Sequence, residues 1–126
     1  MVTMNNWEDF WLNEGFAVFV ERHVDAQLWD VNFAMTEAFI GNTSLDRAVN
    51  IIGTTSSTYR SMHPVLVGEN PDLSFSIIPF EKGFQMLQYM EDSLIGYANM
   101  EDFLTYYIEN NSLMSINRFG MQSSFA

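Results

Sequence analysis

Apolar side chains return at helical intervals along most of this chain. Trp7, Phe10, Trp11, Val18, Val24 and Leu28 recur at that spacing with no proline among them, which predicts a first helix over residues 7 to about 29. Asn6 is placed to cap it, and Glu8 and Asp9 fall in the first turn, where the helix dipole favours acids. Gly15 interrupts the run. A second helix is expected over 31–40, ending at Gly41-Asn42, and a third from Ser44 to Gly53 with Leu45, Ala48, Val49 and Ile52 on one side. Residues 54–72 read as a connecting loop with turns at His63-Pro64 and Asn70-Pro71-Asp72, and Val65-Leu66-Val67 as a short extended piece. Pro79 suits the first position of a fourth helix bearing Phe80, Phe84, Leu87 and Leu94 and closed by Gly96. Asn99, with Asp102 three residues on, opens a fifth carrying Phe103, Leu104, Tyr107 and Ile108. The pattern is mainly α, without an internal repeat or heptad array.

Composition sharpens this picture. The chain has 126 residues, 48% of them hydrophobic and 15% aromatic, which suits one folded domain and excludes a disordered segment. Sixteen acids against five bases give a net charge of -11, with no clustered Lys and Arg for nucleic acid or an anionic membrane. No apolar run spans a bilayer, and residues 1–9 lack the form of a signal peptide. With no cysteine there are no disulfides or thiolate metal sites, and a cytoplasmic setting is expected. The first helix is apolar around most of its circumference at Phe16, Ala17, Val18, Phe19 and Val20, as expected of a helix inside something larger.

Candidate chemistry is sparse. The two histidines, His23 and His63, are far apart in sequence and form no His-x-x-x-His pair. Glu14, Glu21 and Asp25 form a stripe down the first helix. On spacing alone the stripe reads as a solvated face; the sharper reading makes Glu14 a buried acid kept for a metal or an amine.

The string Trp7-Glu8-Asp9-Phe10-Trp11-Leu12-Asn13-Glu14-Gly15-Phe16-Ala17, followed by Glu21-Arg22-His23 and later by Pro79-Phe80-Glu81-Lys82-Gly83, resembles the M-one family of zinc aminopeptidases, and within it the branch of leukotriene A-four hydrolase and aminopeptidase B. The resemblance runs over residues 1–116 and leaves 117–126 as a divergent tail with no convincing amphipathic helix. It implies the C-terminal helical part of a thermolysin-like metallopeptidase catalytic domain.

In that family a His-Glu-x-x-His helix supplies two imidazoles to zinc and a general base, and a Glu on the next helix is the third ligand. Glu14 matches that Glu, while the family spacing puts both histidines before Met1. The resemblance therefore implies zinc for the parent enzyme and no complete site in this chain, with Asn13 and Glu21 orienting the ligand from behind. Family members carry a tyrosine at the position of Phe80, whose hydroxyl stabilises the oxyanion, and the leukotriene branch has another at that of Phe75. Asp72 matches an active-site aspartate of that branch, and Asp72 and Glu81 are expected to line the substrate cleft. No catalytic residue is retained.

The expected function is a fragment or truncated copy of a zinc aminopeptidase, inactive by itself. Its parent reaction would be removal of N-terminal residues from peptides, or epoxide hydrolysis in the leukotriene branch. Its expected partners are a peptide substrate and the missing N-terminal half of the catalytic domain, with no nucleic acid and no membrane. The alternative is a non-catalytic derivative acting as a protein-interaction module.

Overall fold

A computed structural model describes residues 1–52 and 58–125 of the chain. A two-residue strand, β1 (Thr3–Met4), leads into a single 3₁₀ turn at Trp7–Asp9 and then α1 (Trp11–Leu28). The Asn6 side chain accepts from the Asp9 N–H at 3.1 Å, so the sequence-predicted cap is present and starts the 3₁₀ turn that precedes the helix. α1 buries Trp11, Leu12, Gly15, Phe16, Phe19 and Arg22, a single helical stripe. Its other side leaves Val20, Val24 and Leu28 exposed, so the apolar circumference of this helix is only half covered by the described residues.

The 31–52 region departs from expectation. Instead of two helices broken at Gly41-Asn42 there is one, α2 (Val31–Ile52), and the expected end at Gly53 lies outside the described residues. The reason is local. The Arg22 and Glu81 side chains lie directly against Gly41, and a Cβ there would come within 2.5 Å of Glu81 Cδ. Glycine is used here for closeness rather than to end a helix, and the tolerated cost is about 1 kcal/mol of helix propensity. Asn42, the other expected stop signal, accepts a hydrogen bond from Gln85 Nε2 at 2.8 Å.

Beyond 3₁₀ turns at Thr58–Arg60 and Pro71–Ser74, α3 spans Ile77–Tyr89. Ser76 caps it, so Pro79 is its third residue rather than its first, still within the turn whose N–H groups have no helical partner. The expected extended piece at Val65-Leu66-Val67 is loop; Val65 and Val67 are exposed and no strand lies beside them among the described residues. A π-helical turn, Met90–Ile95, follows α3 and ends at Gly96, whose φ of 81° is the left-handed geometry that favours glycine. α4 (Tyr97–Asn111) starts two residues before the predicted Asn99, whose side chain instead donates back to the Ile95 carbonyl at 2.6 Å.

β2 (Ser115–Ile116) pairs parallel with β1, and α5 (Arg118–Ser123) follows, capped by Asn117 Oδ1. The tail thus contains a helix that its weak apolar periodicity did not suggest. Met121 on α5 is buried and joins Trp11, Leu12, Phe16 and Phe19 of α1, Phe84 and Leu87 of α3, Met100, Phe103 and Tyr107 of α4, and Ile116 in one core.

Candidate functional site

The two sequence strings that stood out meet at one crossing. α1 and α3 touch backbone to backbone, and a Cβ on Gly15 would fall 2.6 Å from Gly83 Cα, with Trp11 O also close to Gly83. Only residues without a side chain allow this approach. It brings Glu14 and Gly15 beside the helix that carries Phe80 and Glu81.

Glu14 lies in the first turn of α1 and is partly buried. Burial pushes its carboxyl above the ordinary carboxylate range, and among the described residues its side chain has no hydrogen-bond or ion-pair partner. Asn13 accepts from the Met4 N–H at 2.8 Å, so it fastens β1 to the start of α1. Glu21 is exposed, and Asp25 half-buried.

Glu81 does not face an open cleft in this structure. It is 5% exposed and takes Arg22 in a bidentate pair, Nη1 at 3.0 Å and Nη2 at 2.9 Å. Arg22 also donates to the Glu37 carbonyl at 3.2 Å and lies over the Phe84 ring at 4.0 Å, so one guanidinium ties α1, α2 and α3 together. Asp72 is exposed, on the 3₁₀ turn capped by Asn70.

Phe75 and Phe80 come together around Phe10. The ring centroids are 5.3 Å apart for Phe10 and Phe75, 5.8 Å for Phe10 and Phe80, and 6.1 Å for Phe75 and Phe80. Neither ring carries a hydroxyl, so this corner offers aromatic surface and no proton donor from those two positions.

Zinc asks for about three protein ligands and a free position for water. Among the described residues no group of three or more His, Cys, Asp and Glu side chains is placed to hold a metal ion. The two imidazoles are already committed, His23 to Phe19 O and Glu91, and His63 to Glu8 O and Asp9. The residues present do not fit a zinc site by themselves.

Sequence reasoning missed the Gly15–Gly83 contact and the Arg22–Glu81 pair. A glycine inside an otherwise apolar helix was the available signal for the first. Nothing in a single sequence pairs Arg22 with a residue on another helix.

Solved structures with this arrangement place it within a class. The chain superposes on yeast LTA4 hydrolase with a TM-score of 0.89 at 29% identity, and on that enzyme in complex with bestatin with the same score at 30%; 99% of this chain is covered in both, and 20% of theirs. The fold is the helical part of a peptidase of that kind. The Peptidase family M1 domain matches residues 1–126, and the chain belongs to that family. Similar relatives include leukotriene A-4 hydrolase of Xenopus laevis, 37% identical over 92% of this chain, and leucine aminopeptidase 2 of Emericella nidulans, 33% identical over 98%. The chain spans about a fifth of the length of these relatives, 19% and 20%. Among the described residues no helix is long and apolar enough to cross a membrane.

Proposed function

We propose that this chain carries the part of a zinc aminopeptidase that supplies one metal ligand, Glu14, and does not hydrolyse peptides by itself. The observation that carries the reading is the state of Glu14: partly desolvated, without a hydrogen-bond or ion-pair partner among the described residues, and adjacent to the glycine contact that fixes α1 on α3. A carboxylate kept in that condition costs stability, which a protein tolerates where the group is needed for a ligand. Asn13 and Glu21 belong to the support of that ligand, and Asp72 to the wall of the peptide cleft. The metal, when bound in the complete enzyme, would polarise the scissile carbonyl and activate water. The parent substrate class is peptides with a free N-terminus, as the name of the leucine aminopeptidase relatives suggests. The absence of cysteine supports a cytoplasmic setting.

Calorimetric titration with zinc tests this. The chain alone is expected to show no stoichiometric site tighter than about micromolar, equivalent to roughly 8 kcal/mol. A version extended to include a His-Glu-x-x-His helix is expected to bind zinc tightly and to lose that binding in Glu14→Ala. Tight zinc binding by the 126-residue chain, or extended-chain binding indifferent to Glu14, overturns the proposal.

A second reading, an interaction module, is favoured by the exposed apolar residues Val24, Leu28 and Trp29 at the end of α1 and Phe33, Met35 and Phe39 on α2. Elution as a complex of defined stoichiometry supports it; a monodisperse monomer removes it.

A further inference from the structure

The 3₁₀ turn ahead of α1 carries two neighbouring acids that serve different parts of the molecule. Asp9 is 1% exposed. Its carboxylate accepts from Asn6 Nδ2 at 3.0 Å and from the Arg118 N–H at 3.4 Å, and lies 3.1 Å from His63 Nδ1. Glu8 serves the segment 61–66. Its backbone carbonyl lies 2.7 Å from His63 Nδ1, its Oε1 accepts from the Leu66 N–H at 2.9 Å, and its Oε2 lies 3.7 Å from His63 Nε2. That same ring nitrogen also faces Arg118 Nη1. The helix dipole asks only for an acid near the helix start; the bond to Leu66 is a duty beyond it.

The stretch that follows has few other ties. Residues 65–72 are exposed apart from half-buried Leu66. Their hydrogen bonds close on the segment itself: Glu69 N donates to Leu66 O at 3.1 Å, Tyr59 OH to Glu69 Oε2 at 2.8 Å, and Asp72 N to Asn70 Oδ1 at 3.0 Å. The anchors stand further out. Lys82 Nζ donates to Arg60 O at 2.6 Å, Pro64 is buried, and the Phe75 ring rests on Phe10 and Phe80. Across 65–72 the Leu66–Glu8 bond is the one hydrogen bond that leaves the segment, among the described residues.

Glu8 also shares a frame with Glu14. Phe10 N donates to Trp7 O at 3.3 Å, and Phe10 O accepts from Asn13 N at 3.1 Å and Glu14 N at 3.2 Å, so the turn runs into α1 without a break. Whatever is fastened to Glu8 is therefore held in register with Glu14.

We propose that Glu8 is a positioning residue of the peptide cleft, fixing the segment 61–72, and Asp72 with it, relative to Glu14. This role rests on the proposed place of Asp72 in the cleft wall. The Leu66 N–H needs an acceptor oxygen at that reach, not a charge, and the glutamine amide supplies one on a side chain of the same length. Alanine supplies none.

Distances between nitroxide labels in the full chain test it. The chain has no cysteine, and Asp72 and Glu21 are both exposed, so Asp72→Cys with Glu21→Cys places one label on the segment and one on α1. A single narrow distance distribution is expected in the parent. Glu8→Ala is expected to broaden it about twofold and to speed exchange of the Leu66 amide about tenfold, and Glu8→Gln to restore both. A merely stabilising side chain would shift Tm and leave the width alone. A distribution that stays narrow in Glu8→Ala, or broadens equally in Glu8→Gln, overturns the proposal. If Glu8→Ala fails to fold, the parent decides: its Leu66 amide is expected to exchange at least about tenfold slower than in an unstructured chain, and an unprotected Leu66 overturns the proposal. The labels report without metal, whereas zinc titration of the extended chain judges Glu14, so the two readings fail separately.

Discussion

Replacing Gly15 by alanine is the most direct probe of the crossing on which the candidate site is built. The added Cβ would lie 2.6 Å from Gly83 Cα and 2.9 Å from Gly83 C, both backbone atoms of α3. Carbon atoms rest comfortably at about 3.5–4.0 Å, so the helices must separate by about 1 Å or bend. Overpacking of a well-packed contact costs about 1–3 kcal/mol, and the upper part of that range applies because no flexible side chain can move aside. Alanine recovers up to about 1 kcal/mol of helix propensity. The net expectation is a loss of about 1.5 kcal/mol, which in a domain of this size is roughly 5 °C in Tm. Urea unfolding followed by tryptophan fluorescence measures it, with Gly120→Ala as the control. Gly120 is also helical, but its added Cβ would make only ordinary van der Waals contacts, with Ile116 Cβ at 3.4 Å and with Asn117 Oδ1 and Ile116 Cγ2 at 3.8 Å, so that variant is expected to be neutral or slightly stabilised. A Gly15→Ala chain as stable as the parent would refute the claim that backbone contact sets this crossing.

Other outcomes follow from the same structure. Arg22→Ala leaves Glu81 buried without its partner and is expected to cost about 3–5 kcal/mol in the same urea assay, whereas the joint change Arg22→Met with Glu81→Leu costs markedly less. Glu14→Gln is expected to raise Tm at neutral pH and to leave it unchanged in acid. The carboxyl is raised in the folded chain, so the stability linked to its protonated form is present in acid and lost as pH rises through its folded value; calorimetric scans across pH check the sign. Burial pushes the Tyr107 hydroxyl up to about 12 from an ordinary 10, so that tyrosine's contribution is intact below about pH 10 and lost as pH climbs toward 12; absorbance titration of the parent against Tyr107→Phe identifies it. Asn6→Ala removes the acceptor for Asp9 N and is expected to cost about 1 kcal/mol.

What could be read from the chain before its structure was local. Periodic apolar positions revealed α1, α3 and α4, because that signal acts within a turn or two. Of their start signals only the Asn6 cap stands where it was read; Pro79 and Asn99 each lie two residues inside their helices. The Trp-Leu-Asn-Glu-Gly string carried the family, which the match over residues 1–126 bears out. The reading failed where a distant residue decided. Gly41-Asn42 has the form of a helix end, and only Arg22 and Glu81, brought from two other helices, explain why α2 continues through it. Val65 and Val67 had strand-forming side chains but no neighbouring strand to pair with among the described residues. α5 is short and owes its place to the Asn117 cap and one buried methionine, signals too small to stand out in a pattern. For the candidate site, Glu14 and the two phenylalanines could be singled out by alignment to a motif. The bidentate partner of Glu81 and the ring cluster around Phe10 could not, since they are tertiary facts.

The short β1–β2 ladder bears on the order in which this polypeptide assembles. Thr3 and Ser115, joined hydroxyl to hydroxyl at 3.0 Å, are separated by 112 positions. Four residues of strand cannot offset the entropy of drawing so long a loop shut. The ladder therefore forms late in refolding, once α1, α3 and α4 have collapsed and brought its two halves within reach, and mixing kinetics should report it after the helical signal is complete.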